Sequence, residues 1–121
     1  MNEKMLNTES FFEKLNLLIK NGDWESFLGK DTERKNILLK RKNSETLFCP
    51  LSAVYFFLTG REIHRGSFIF KELTDEFSFP WWEILEIAYA ETACNVSRFY
   101  DQKLRNRLLG TLNLPLEQIK F

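Results

Sequence analysis

Histidine, cysteine, glycine and proline are scarce in this chain, and the shortage excludes several kinds of site. The 121 residues include one histidine and two cysteines, whereas a zinc site takes three or four such ligands, usually in close pairs. The five glycines never come within the spacing of a phosphate-binding or dinucleotide-binding loop. The sequence therefore predicts neither a bound metal nor a cofactor.

Net charge is also missing, because 17 basic and 17 acidic side chains cancel. A neutral protein has no overall field that would attract a polyanion. The charges are nevertheless segregated: basic residues are in excess at 30–46 and near 98–107, and acidic residues at 71–93. Segregated charge suits a polar interface, although solvated helix faces often carry it too.

No apolar run is long enough to cross a bilayer. The longest, Ala53–Leu58, is far shorter than the ~20 residues that a spanning helix needs. The first residues lack the features of a secretion signal, so we expect a cytoplasmic protein that does not bind membranes. The length fits one domain over residues 1–121. Its core is expected at about 8–112, with a docked or frayed tail at 113–121.

Apolar residues recur at helical spacing through most of the chain. The pattern predicts helices at 8–20, 23–28, 50–58, 67–77, 80–92 and 101–112. The helix at 50–58 is apolar on nearly every side, which is typical of a central element. We therefore predict a mostly α-helical protein of five to six short helices, packed as an orthogonal or irregular bundle.

Residues 31–48 are the ambiguous part of this prediction. Thr32–Arg41 is rich in residues that favour a helix. Yet Ile37–Leu39 is followed by four polar residues, a pattern that also suits a short strand running into a turn. We predict a helix here, and a strand or turn near 37–48 remains the alternative.

Cys49 and His64 are the only residues that suggest catalysis. Cys49 precedes Pro50 at the predicted start of a helix, where the helix dipole lowers the pKa of a thiol. Paired with His64, it would form the minimum of a thiol hydrolase. Nothing else in the sequence supports that pair, and a buried cysteine beside a core helix is the commoner case. We predict that the protein is not an enzyme.

The leading interpretation is a small protein–protein interaction module, such as an inhibitor, an adaptor or a complex subunit, which binds another protein or a second copy. Trp81 and Trp82 project about 100° apart on one helix, so both are buried only if that helix has neighbours on two sides. Whether Trp82 is exposed stays open, but an exposed tryptophan is a favoured anchor for a partner.

Charged residues complete the predicted contact surface. Those chosen are Arg61, Arg65, Glu72, Glu76, Arg105 and Arg107. Arg105 and Arg107 are expected to face outward because Leu104, Leu108 and Leu112 form the buried row of their helix.

The alternative interpretation is nucleic-acid binding through two basic patches. Their residues are Lys35, Lys40, Arg41, Lys42, Arg98 and Lys103, together with Arg105 and Arg107. If the patches lay side by side, they could follow a phosphate backbone. The neutral total charge and the lack of a helix-turn-helix pattern make this the second choice.

Overall fold

A computed structural model of the chain describes residues 6–31, 34–62, 77–91 and 99–116. In chain order, these residues form helix α1 (Thr8–Lys20), strands β1 (Trp24–Asp31) and β2 (Arg34–Arg41), and helices α2 (Pro50–Thr59), α3 (Trp81–Glu91) and α4 (Phe99–Thr111). The predicted bundle of five to six helices is therefore wrong. The described part of the chain has four helices and a two-stranded antiparallel sheet. The helix predicted at 67–77 lies almost entirely outside the described residues.

Helix α1 has the bounds that the periodicity predicts. Its start is fixed by a capping box, in which Asn7 Oδ1 accepts from the Ser10 N–H and Ser10 Oγ accepts from the Asn7 N–H. The buried face consists of Phe11, Phe12, Leu15 and Leu18. This face packs mainly against α2, so the local pattern and the tertiary contacts agree.

The hairpin formed by β1 and β2 corrects two predicted helices, at 23–28 and 32–41. The strands pair in antiparallel register from Trp24 opposite Arg41 to Asp31 opposite Arg34. In β2, Ile37 and Leu39 are fully buried on the side of the core. Leu38, on the opposite side of the strand, is also 95% buried or more. Burial on both sides gives the continuous apolar run typical of an inner strand.

Gly29 in β1 leaves space for the Leu38 side chain, which lies on the outer face of the hairpin, opposite to the core. A Cβ atom at residue 29 would lie 2.5 Å from Leu38 Cδ1. No real side chain tolerates that approach without moving the leucine. The glycine therefore allows the Leu38 side chain to lie over β1, in which Phe27 is the residue paired with Leu38.

Helix α2 is the central element, as predicted. Cys49 caps its start, Pro50 occupies the first turn, and Gly60 ends it in the left-handed region with φ 76°. Every residue from Pro50 to Tyr55 is buried. Beyond them, Phe56 forms a cluster of three aromatic rings with Trp24, which it meets edge-on, and Phe48, and this cluster connects α2 to the hairpin.

Helices α3 and α4 pack against each other and complete the core. In α3, Ile84, Ile87 and Ala90 are buried. Leu108 of α4 and Leu112, directly after its end, are buried as predicted, but Leu104 is only half-buried. Side chains from all four helices and both strands meet in one hydrophobic cluster.

Candidate functional site

Trp82 is the largest apolar side chain that the described residues leave open to solvent. It lies in the first turn of α3 and is 60% exposed, although Ile84 and Ile87 of the same helix are fully buried. The question that the sequence left open is thereby answered. Trp82 projects from the solvent side of a helix whose other side belongs to the core.

Glu83, next to Trp82, ties the start of α3 to the start of α1. Its Oε2 atom accepts hydrogen bonds from the Thr8 N–H at 2.7 Å and from the Thr8 hydroxyl at 2.8 Å. The carboxylate thus satisfies a backbone donor that helix α1 cannot satisfy itself. The helical turn that carries Trp82 is therefore held against the start of α1.

Arg105 corrects the predicted outward placement of two arginines on α4. It is 3% exposed and donates from Nη1 to the Ala90 carbonyl and from Nη2 to the Lys35 carbonyl, both at 3.1 Å. The buried row of α4 is residue 105 with Leu108, Leu109 and Leu112, the spacing of one helix face. Arg105 therefore joins α4 to α3 and β2 instead of facing a partner.

The contact with Lys35 falls on the edge of β2 that faces away from β1. Leu39 exchanges both backbone hydrogen bonds with Phe48 on that edge, each at 2.8 Å. Alternate residues of a strand direct their backbone groups to the same edge, so the Lys35 carbonyl shares it. Arg105 donates to this carbonyl the hydrogen bond that the N–H group of a further strand would otherwise donate.

Arg107 is exposed as predicted, but it is already paired. It forms a bidentate ion pair with Glu9, at 2.9 Å to Oε1 and 2.8 Å to Oε2. Its guanidinium carbon lies 4.0 Å from the centre of the Phe12 ring. The hydrogen bonds and charge of Arg107 lower the pKa of the Glu9 carboxyl below its ordinary value. The pair fixes α4 beside α1.

A surface groove of about 810 Å³ runs between α1 and α4 beside this ion pair. Its lining residues are Glu9, Phe12, Glu13, Asn16, Ile19, Lys20, Arg107, Gly110, Thr111 and Asn113. A Cβ atom placed on Gly110 would meet no atom within 4 Å, so the glycine leaves this part of the groove open. No sequence pattern predicts this groove, because it depends on how two helices that are distant in the chain pack against each other.

We expect Gly110→Ala to stabilise the protein by about 0.5–1 kcal/mol. The residue lies within α4 and has space for a methyl group, and alanine loses less backbone entropy in a helix than glycine does. Chemical denaturation would measure the change. A loss of stability would mean that α4 does not continue through residue 110.

The remaining predicted partner residues are only partly described. Arg61 is exposed, and its guanidinium carbon lies 5.4 Å from the centre of the Tyr55 ring. Arg65, Glu72 and Glu76 lie outside the described residues. The structure therefore brings Trp82 and Arg61 to the surface.

The basic patch on the hairpin is present at the surface. Lys35 and Lys42 are exposed and Lys40 is half-buried. Arg41 lies 4.5 Å above the Phe56 ring and forms an exposed ion pair with Glu62 at 3.3 Å. A second, smaller pocket of about 420 Å³ adjoins it, lined by Asp23, Arg41, Lys42, Asn43 and Ser44.

The second predicted basic patch is much reduced. Lys103 is exposed, but Arg98 lies outside the described residues and Arg105 is buried. Arg107 is neutralised by Glu9. A continuous basic track along α4 therefore has no support from the described side chains.

Cys49 lies against a buried carboxyl group at the start of α2. Glu91, at the end of α3, is 5% exposed, and its Oε1 atom accepts from the Leu51 N–H at 2.7 Å. Burial, and secondarily the charge of Glu91, raises the pKa of the Cys49 thiol to about 12. The sequence suggested that the helix start lowers the pKa of this thiol, whereas its surroundings raise it. His64 lies outside the described residues.

Glu91 was missed at the sequence level, although a signal for it exists. It follows Ile84 by seven residues and Ile87 by four, which places it on the buried face of α3. Burial raises its pKa to about 8, opposed by the hydrogen bond from Leu51. The carboxyl group therefore holds its proton at neutral pH.

The described residues contain neither a metal site nor a membrane-spanning helix. Within the described ranges, no group of three or more His, Cys, Asp or Glu side chains could hold a metal ion. No helix of the same residues is both long and apolar enough to cross a membrane. No protein-family model, curated protein or solved structure matches this chain.

Proposed function

We propose that this chain is a non-enzymatic protein–protein interaction module, acting in the cytoplasm as an inhibitor, adaptor or complex subunit. Trp82 is its principal contact. The observation that carries the proposal is the 60% exposure of that side chain on an otherwise core-facing helix. Tryptophan is the residue type most enriched among interface positions that dominate binding energy.

The surroundings of Trp82 suit an anchor for a partner. Binding is favoured when a partner removes an exposed indole from water, because a fully buried tryptophan buries about 150–250 Å² of surface. The Thr8–Glu83 hydrogen bonds already order the turn that carries it. Binding then requires little further loss of conformational entropy.

The state of Cys49 supports a non-enzymatic role. A thiol with a pKa of about 12 provides almost no thiolate at neutral pH, and the thiolate is the nucleophile. Its neighbours Ser52 and Glu91 hold it at a helix start, where it acts as the capping residue. A free cysteine in this setting also suits a reducing compartment.

Nucleic-acid binding remains a second candidate because Lys35 and Lys42 are exposed on the hairpin. Because Arg105 is buried and Arg107 is paired with Glu9, the candidate nucleic-acid-binding surface is limited to the hairpin. A binding site of this kind would use Lys35 of β2 and Lys42, which directly follows β2. It would not use α4.

We expect Trp82→Ala to weaken binding to the physiological partner by at least about thirtyfold, the loss typical of a hot spot. The partner is captured from the source cell with the wild-type protein, identified by mass spectrometry and titrated against both proteins. Leu116→Ala is the matched control, because Leu116 is 65% exposed and apolar. It should change the affinity by less than about threefold.

Stability measurements separate a loss of affinity in Trp82→Ala from a loss of folding. Since Trp82 is mostly exposed, its replacement should change the free energy of unfolding by only about 0.5 kcal/mol. Equal affinity of the Trp82→Ala and wild-type proteins would contradict the proposal. If, in addition, oligonucleotides bound with steep salt dependence and Lys40→Glu/Lys42→Glu abolished that binding, the nucleic-acid interpretation would replace it.

A further inference from the structure

We propose that α1 and the groove beside it form a self-association surface, on which two copies of this chain pack with their α1 helices antiparallel. The two-fold axis passes near Asn16 and Leu17. The observation behind this is a charge pattern on α1 that complements itself when the helix direction is reversed. Trp82 is not among the residues that line this groove, so the inference goes beyond the proposed function.

The charge pattern consists of Glu13 and Lys20. Both are exposed and both line the α1–α4 groove. They are seven residues apart, two turns of helix or about 10 Å along the axis, and so lie on one face. Among the described residues neither has an ion-pair partner, since Glu9 is the carboxylate that takes Arg107.

Reversing the helix direction brings these opposite charges together twice. In an antiparallel pair centred between residues 16 and 17, Glu13 lies opposite the partner's Lys20, and Lys20 lies opposite the partner's Glu13. An interface of this kind uses the same patch on both copies, which is the rule for two-fold dimers. Parallel packing would instead place Glu13 against the partner's Glu13 and Lys20 against the partner's Lys20, which is repulsive.

The shape of the surface supports the same arrangement. Leu17, at the centre of the exposed stripe, is 43% exposed, and this apolar area would lie beside the axis. The groove next to it has apolar parts, Phe12 and Ile19, and stays open because Gly110 has no side chain. A groove of about 810 Å³ can receive the side chains of the second α1.

The test is sedimentation equilibrium of the full chain over protein concentrations from about 1 μM to about 1 mM, the range in which polar interfaces of modest area dissociate. We expect a monomer–dimer equilibrium. E13K and K20E should each raise the dissociation constant by at least about tenfold, because each puts like charges opposite each other twice. The double variant E13K/K20E restores both pairs with exchanged signs, so its constant should return to within about threefold of wild type.

Matched controls exclude an effect of net charge. Glu45→Lys and Lys42→Glu change the charge by the same amounts as E13K and K20E, at exposed positions of the turn after β2. They should leave the dissociation constant unchanged. Gly110→Gln should raise the constant and Gly110→Ala should raise it less, because the longer side chain fills the groove.

Three results would overturn the inference. These are a monomer at every concentration, a dimer that neither single reversal weakens, or a double variant as weak as the single ones. None of them bears on the Trp82 proposal, which is measured with a different protein as ligand.

Discussion

Replacing Arg105 with alanine is expected to lower the free energy of unfolding by about 2–4 kcal/mol, since the buried Ala90 carbonyl left without a donor costs about 1–3 kcal/mol and the part-buried Lys35 carbonyl costs less. Two carbonyls lose their donor, those of Ala90 and Lys35. They belong to α3 and β2, so the change loosens two elements at once. The alkyl part of the arginine, which packs in the row with Leu108 and Leu109, is lost as well.

Two further variants identify the cause. Arg107→Ala removes the same side chain from an exposed position two residues away and should cost no more than about 1 kcal/mol, as usual for surface ion pairs. Arg105→Lys keeps the charge but not the two-pronged donor geometry, so most of the loss should persist. Chemical denaturation of the three proteins would measure it. Similar small losses for Arg105→Ala and Arg107→Ala would mean that Arg105 faces solvent.

The stability of the wild-type protein is expected to fall as the pH rises from about 5 to about 8. Glu91 has a pKa raised to about 8 from an ordinary value of 4.5, so over this range the folded protein holds a proton that the unfolded chain has released. Stability then decreases with rising pH. At about 1.4 kcal/mol per pKa unit, the loss over this range is about 2–4 kcal/mol.

Glu91→Gln tests this pH dependence directly. The amide oxygen can still accept the hydrogen bond from the Leu51 N–H, but the side chain no longer titrates. The variant should therefore show a flatter profile and exceed the wild type in stability near pH 8. Burial keeps the pKa of the Cys49 thiol raised in both proteins, so up to pH 8 the difference between the profiles reports the titration of Glu91. Parallel profiles would contradict the burial of a protonated carboxyl group.

Helices α1 and α2 could be predicted from the sequence because their signals are local. Apolar spacing and the polar residues around Gly22 delimit α1, and Pro50 and Gly60 delimit α2. The hairpin could not be predicted in the same way. Leu38 and Phe27 place apolar side chains on the outer face, which removes the alternation that identifies a half-buried strand.

The buried polar groups depend on partners that no local pattern reveals. Arg105 bonds to residue 90 of α3 and residue 35 of β2, and Glu91 bonds to residue 51 of α2. Sequence spacing places Glu91 on the core-facing side of α3 but predicted an outward position for Arg105, and only the packed structure supplies the carbonyl and N–H groups that make burial of both side chains tolerable. Helix propensity also favoured helix over strand at 32–41, and strand pairing with β1 overrode it.

The exposure of Trp82 is likewise a tertiary property. Two adjacent indoles indicated that α3 needs neighbours on two sides to bury both. The number of elements that pack against α3 could not be predicted from the sequence. In the structure, the buried face of α3 is set by Ile84, Ile87 and Ala90, and Trp82 is 60% exposed.

Photo-crosslinking from position 82 tests most directly whether Trp82 contacts a protein partner. A benzoyl-phenylalanine replaces Trp82 in one protein and Leu116, which is 65% exposed, in another. Both are irradiated in the source cell. We predict that position 82 forms a covalent adduct with one protein species, that position 116 does not, and that excess wild-type protein suppresses the adduct. Failure of position 82 to form any adduct, or the same set of adducts from both positions, would contradict the proposed function.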